Sequence, residues 1–114
     1  MQTITDDYMK EKLPTARQYT LMILKTTPER REPGVRGGKI IWEHGRRNFA
    51  LVAEGLMPIV CPVGDGSGIA GMGVFITSLE ETAKIMDEDP GVKAGIFVYE
   101  VYACRGFPGA CLPE

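Results

Sequence analysis

The hydrophobic pattern of this chain changes period in an order that few folds accommodate. Residues 18–25 (QYTLMILK) form an extended run that is apolar on both faces, and residues 39–56 then adopt helical spacing. Two extended runs follow, 56–63 (LMPIVCPV) and 69–77, separated by the turn sequence GDGSG; Pro58 and Pro62 suit the first of them to a sheet edge. Met72, Val74 and Ile76 fall on one face of the second run and Phe75 on the other. Ser78-Leu79-Glu80-Glu81 is a capping box that opens a second helix, on which Leu79, Ala83 and Met86 share a stripe. Asp89-Pro90-Gly91 stops that helix, and residues 92–103 make a fourth strand rich in Ile, Phe, Val and Tyr.

The resulting order, βαββαβ, predicts an α+β, ferredoxin-like domain. Right-handed crossovers place both helices on one face of a four-stranded antiparallel sheet. Strands one and four are apolar on their second face as well, where no element of so small a domain is left to cover them. Dimerisation between sheet faces is the expected solution. The domain spans residues 18–106, preceded by a polar extension, 1–17, with room for a short helical turn, and followed by a Pro/Gly-containing tail, 107–114.

At 114 residues the chain is one domain that buries about two-thirds of its unfolded surface, so folding requires neither disulfides nor metal. A net charge of −2 provides no basic footprint for nucleic acid. Arg30, Arg31, Arg36 and Lys39 are interleaved with Glu29 and Glu32 and read as a solvated loop. No apolar run approaches the roughly 20 residues of a membrane span, and the first residues are acidic where a signal peptide is cationic, so a cytoplasmic location is expected. Cys61, Cys104 and Cys111 lack paired short spacings, which disfavours a structural zinc site with the single histidine. A Cys104–Cys111 disulfide is geometrically possible but is not demanded in a cytosolic chain. No metal or cofactor is expected.

That single histidine, His44, is the most informative polar residue. Placed at helical steps, residues 39–56 gather Glu43, Arg46, Arg47 and Glu54 on one arc and spread Ile40, Ile41, Leu51, Val52, Leu56, Trp42 and Phe49 over the opposite half. His44 and Asn48 fall within the apolar half, one turn apart. Buried polar side chains need partners, because leaving one unsatisfied costs roughly 1–3 kcal/mol. His44 is therefore either a satisfied core group or the reactive group of a pocket. The topology puts Asp65 and Asp89 at the same end of the sheet, with Asp65 the nearer candidate partner and Asp89 across the sheet. Both acids also have ordinary turn explanations. The run Gly66-Ser67-Gly68-Ile69-Ala70-Gly71 satisfies the letter of G-x-G-x-x-G, but the strand-forming sequence after it excludes the helix a dinucleotide site requires.

Residues 19–25 (YTLMILK), His44, Glu54-Gly55-Leu56, the Gly64-Asp65-Gly66 turn, Ser78-Leu79-Glu80-Glu81 and above all residues 89–95 (DPGVKAG) together resemble the YCII-related proteins over roughly residues 18–106. The resemblance implies a dimeric α+β barrel of ferredoxin-like subunits and a site pairing the helix histidine, His44, with Asp65 or Asp89. Related barrel families include lactone isomerases, cofactor-free monooxygenases and dehalogenating enzymes. This chain departs from the family pattern in its extension and in the tail from Cys104 to Cys111.

Two classes of function follow. One is a small cofactor-free enzyme in which His44 exchanges protons, Asp65 or Asp89 orients it, and Trp42, Asn48 and Phe49 shape a pocket for an aromatic or lactone-like metabolite. The other is a non-catalytic, dimeric small-molecule-binding or accessory domain in which His44 satisfies core polar groups.

Overall fold

The structure is a computed structural model that describes residues 1–27, 36–110 and 112–114. Its elements are α1 (Asp6–Lys12), a 3-10 turn (Leu13–Thr15), β1 (Arg17–Thr26), α2 (Arg36–Ala53), β2 (Ile59–Pro62), β3 (Ile69–Phe75), α3 (Leu79–Asp87), α4 (Pro90–Lys93) and β4 (Phe97–Gly106). The four strands form one antiparallel sheet in the order β2-β3-β1-β4. The arrangement is α+β and consistent with a ferredoxin-like domain.

Strand register shows why the sheet has one core face. Thr20, Met22 and Leu24 of β1 stand opposite Phe75, Gly73 and Gly71 of β3 and opposite Ala103, Val101 and Tyr99 of β4. Alternate residues of a strand share a face, so this set points together toward the helices. Leu51 of α2 and Met86 of α3 join Met22, Leu24, Phe75 and Phe97 in a single buried cluster. Both long helices thus cover the same side of the sheet. Gly73 leaves room for Met57, which is wholly buried: a Cβ on Gly73 would lie 2.6 Å from the Met57 sulfur.

Local chemistry fixes the element ends. Gly55, at φ 77°, terminates α2 in the left-handed region, and the amides of Leu56 and Met57 donate back to the Leu51 carbonyl at 3.0 and 3.2 Å. Ser78 caps α3 by accepting from the Glu81 amide at 3.1 Å. Buried Thr20 donates to the Thr77 carbonyl at 2.7 Å, and the Thr77 and Thr82 hydroxyls meet at 2.7 Å, which ties β1 to the start of α3 without stranding a polar group. β2 lies at the sheet edge, where its one proline, Pro62, costs no ladder bond.

The structure corrects the expected elements in several places. β4 begins at Phe97 rather than Val92, because Asp89 caps a further helical turn and Pro90 occupies its first position. Residues 90–93 are therefore helical, and two short helices, α1 and α4, accompany the two long ones. The second strand contracts to Ile59–Pro62, the third ends at Phe75, and α2 begins at Arg36. Trp42 and Phe49 also fall outside the buried stripe, at 69% and 74% exposure. On a helical wheel starting at Ile40, the stripe containing His44, Asn48, Leu51 and Val52 covers about 0–120°, whereas these two aromatics stand at about 180–200°. Cys111, the possible partner of Cys104, and most of the basic loop lie outside the described residues.

Tyr99 clamps α3 to the sheet: its hydroxyl lies 2.6 Å from Asp87 Oδ1 and 3.1 Å from the Ala83 carbonyl. Burial, reinforced by the Asp87 carboxylate, pushes this phenol up to about 12 from an ordinary value of 10.0. The folded state therefore holds the proton more tightly than the unfolded state. The stabilising contribution is complete below the ordinary value and is lost as the pH rises through about 12. The Glu100 hydrogen bond raises Tyr102 as well, so absorbance titration of the phenolate band should show a late-ionising phase of which Tyr99→Phe removes the latest component.

Candidate functional site

Asp89 is fully buried, and each of its carboxylate oxygens has a separate task. Oδ2 caps α4, accepting from the amides of Gly91 at 2.9 Å and Val92 at 3.2 Å. Oδ1 faces α2 and lies 2.7 Å from Nδ1 of His44, whose side chain is 12% exposed. A carboxylate accepts only, so Nδ1 carries the hydrogen. In the neutral ring Nε2 is then the lone-pair atom. That atom meets the side-chain amide of Asn48 at 3.2 Å, one turn along the same helix. With Nε2 as acceptor, Asn48 donates through Nδ2.

Phe97 completes the support. Its ring lies 4.9 Å from the His44 ring, centroid to centroid, tilted by 53°. Phe97 occupies the space beside Gly91, where a Cβ would fall 2.4 Å from the phenyl ring and 3.1 Å from Asp89 Oδ2. A side chain at position 91 would displace either the ring or the carboxylate. Glycine is required here for close approach rather than for backbone conformation.

His44 and Asn48 open onto a cleft of about 500 Å³ whose remaining wall is formed by Thr26, Ile41, Val63 and Ile69 together with Phe97 and turn glycines. Thr26 holds the far side in place, its amide and hydroxyl both donating to the Gly68 carbonyl at 2.9 and 3.2 Å. The volume suits a small organic molecule, and the lining is largely apolar with a few polar groups at one edge. Among the described residues, no cluster of His, Cys, Asp and Glu able to hold a metal ion is present. No helix among them is long and apolar enough to cross a membrane.

Of the residues singled out in the sequence, the structure brings together His44, Asn48 and Asp89. Asp65 is not part of this group: it is exposed in the turn after β2 and accepts from the Ser67 amide at 3.0 Å. Hydrogen bonds from Ser67 hold its carboxyl below the usual carboxylate range. The choice between the two acids falls to Asp89 because α4 packs against α2, and strand order alone does not reveal that contact. Trp42 and Phe49 do not border this cleft; with Arg46 they line a neighbouring groove on the outer side of α2 that shares Ile41 and Gly45 with it. Phe97, Gly91 and Thr26 were not foreseen. The need for glycine at position 91 comes chiefly from the Phe97 ring, a tertiary neighbour that the Asp-Pro-Gly sequence does not announce.

Asp89→Ala removes both the His44 partner and the α4 cap, and chemical denaturation should show a loss of about 3 kcal/mol or more. Asp89→Asn, which can still accept at the cap, should cost less. Since Asp89→Asn keeps the cap and loses the charged contact with His44, equal losses in the two variants would mean that the α4 cap contributes nothing. Comparison of the chain with protein-family models and with curated proteins returns no match.

Proposed function

We propose that this protein is a cofactor-free acid–base catalyst in which His44 moves a proton on a small, largely apolar molecule bound in the adjoining cleft. The observation that carries this reading is the buried His44–Asp89 contact at the edge of an open cavity. The carboxylate fixes the tautomer and the ring plane, leaving Nε2 as the atom that accepts or donates the proton. Asp89 then sits opposite the charge that the ring gains when it takes up a proton. Asn48, already in contact with Nε2, would hand this nitrogen to the ligand and hydrogen-bond a carbonyl or hydroxyl oxygen beside it. A neutral aromatic or lactone-like metabolite fits such a cleft, and proton abstraction next to a carbonyl is the simplest reaction these groups support.

The same proposal includes the assembly. Leu21 and Ile23 are half-buried on the sheet face away from the helices, and Val98, Tyr102, Ile69 and Ile76 are exposed there or beside it. We take this face to pair with that of a second copy, giving the dimeric α+β barrel implied by the YCII-related resemblance. We place the protein in the cytoplasm, where Cys61 and Cys104 would remain reduced.

One observation favours the binding-domain alternative: both nitrogens of His44 already have protein partners, as a purely structural histidine would. Deuterium incorporation from heavy water into a panel of lactones and aryl ketones, followed by proton NMR, separates the two. His44→Asn should slow exchange by at least about 100-fold, in line with the general contribution of a positioned acid–base group. Exchange equal in the variant and the parent, or ligand binding that never leads to exchange, would leave the binding domain as the function.

A further inference from the structure

The leading segment of the chain projects from the domain instead of packing on it. Helix α1 has no buried residue, and its main neighbour is the 3-10 turn that follows it. Tyr8 and Met9 on the helix are 49% and 43% exposed, flanked by Ile4 at 51% and Leu13 at 55%. The molecule is drawn out accordingly to 56 × 31 × 24 Å. A helix of seven residues is unstable in water unless it buries a face, so α1, capped by Thr5, calls for an apolar surface.

Such a surface lies at one end of the sheet face away from the helices, where β1 and β2 begin and β3 and β4 end, beside the stretch around Leu21, Ile23 and Val98 proposed to pair with the second sheet. An apolar groove of about 500 Å³ is bounded there by Tyr19, Ile59, Val74 and Ile76, with Phe107 and Leu112 of the tail alongside. Charges complement one another: exposed Arg105 lines the groove, whereas the first turn of α1 carries Asp6 and Asp7. Pro14 in the connecting turn fixes its own φ and so narrows the directions in which the segment leaves β1. The helix accounts for about 10 Å and the residues before it for up to about 17 Å, well beyond the roughly 15 Å width of a four-stranded sheet.

We propose that residues 1–13 of one copy dock in this groove on a second copy, and reciprocally, so that the projecting segments clasp the dimer. This rests on the pairing of sheet faces proposed above and specifies how the pair is held. The test uses two full-length chains mixed in equal amounts. One is the unlabelled Lys10→Cys chain, with its native cysteines changed to serine and a maleimide nitroxide attached on the side of α1 away from Tyr8. The other is the nitrogen-15-labelled native chain. Clasping predicts intermolecular broadening centred on Val74, Ile76 and Phe107 of the native chain. It also predicts loss of that broadening with Ile76→Asp in the labelled chain, and a dimer weakened at least tenfold when residues 1–12 are removed. A dimer by sedimentation that lacks this broadening would overturn the clasp and leave the sheet pairing standing. A monomer by sedimentation would overturn both.

Discussion

A carboxylate withdrawn from water must be satisfied on every side, and the arrangement around Asp89 follows from that requirement. An unpaired buried charge is among the most expensive groups a protein can hold. Asp89 avoids that cost by accepting from two backbone amides of α4 and from the His44 ring. Each partner then constrains another element. The amides require the chain to turn helical at Pro90, which delays β4 to Phe97. The imidazole requires α2 to approach α4 closely enough for a 2.7 Å contact. Gly91 is the residue that lets both conditions hold, since any side chain there would meet Phe97 or the carboxylate itself.

The cleft is a by-product of the same contacts. With α2 held toward α4, its Ile41, His44 and Asn48 face the turn between β2 and β3 across the cleft, and Thr26 ties that turn to the end of β1. The space between them is lined by His44 and Asn48 on one side and by aliphatic side chains on the other. Polar chemistry is thus concentrated at one edge of an otherwise apolar cavity, an arrangement that orients a ligand as well as enclosing it. On the far side of the sheet the logic is reversed. Lys25 and Glu100 form an ion pair, and Tyr102 bonds to the same glutamate, amid apolar neighbours. The Glu100 carboxyl is held below its ordinary value by the Lys25 and Tyr102 hydrogen bonds. Lys25 and Tyr102 are exposed and Glu100 half-buried in one copy, and an opposing sheet that covered them would find them already paired with one another.

Sequence and structure agree most closely where a property is local. The two faces of β3, the serine cap of α3, the glycine end of α2 and the edge proline of β2 all depend on residues within one turn or one strand. They could be read from spacing alone. The placement of Trp42 and Phe49 shows the limit of that reading. An apolar half of a helix is wider than the stripe a single sheet can cover, so the margin of the arc remains exposed. A similar limit applies to Asp65 and Asp89. Both share an end of the sheet, and only the packing of α4 on α2 determines which acid reaches the ring.

By itself, the sequence determined the order of the main elements and the presence of two polar side chains on the buried stripe of α2, whereas the face that β1 and β4, apolar on both sides, turn to the helices came only from the fold. The first two follow from backbone periodicity and from the cost of burying polar groups, which act over a few residues. Tertiary structure decided the partner of His44, the role of Asn48 at Nε2, the need for glycine at position 91 and the exposure of the α2 aromatics. Those outcomes depend on distances of a few ångströms between elements up to 45 positions apart in sequence, as for His44 and Asp89, and periodicity carries no information about such distances.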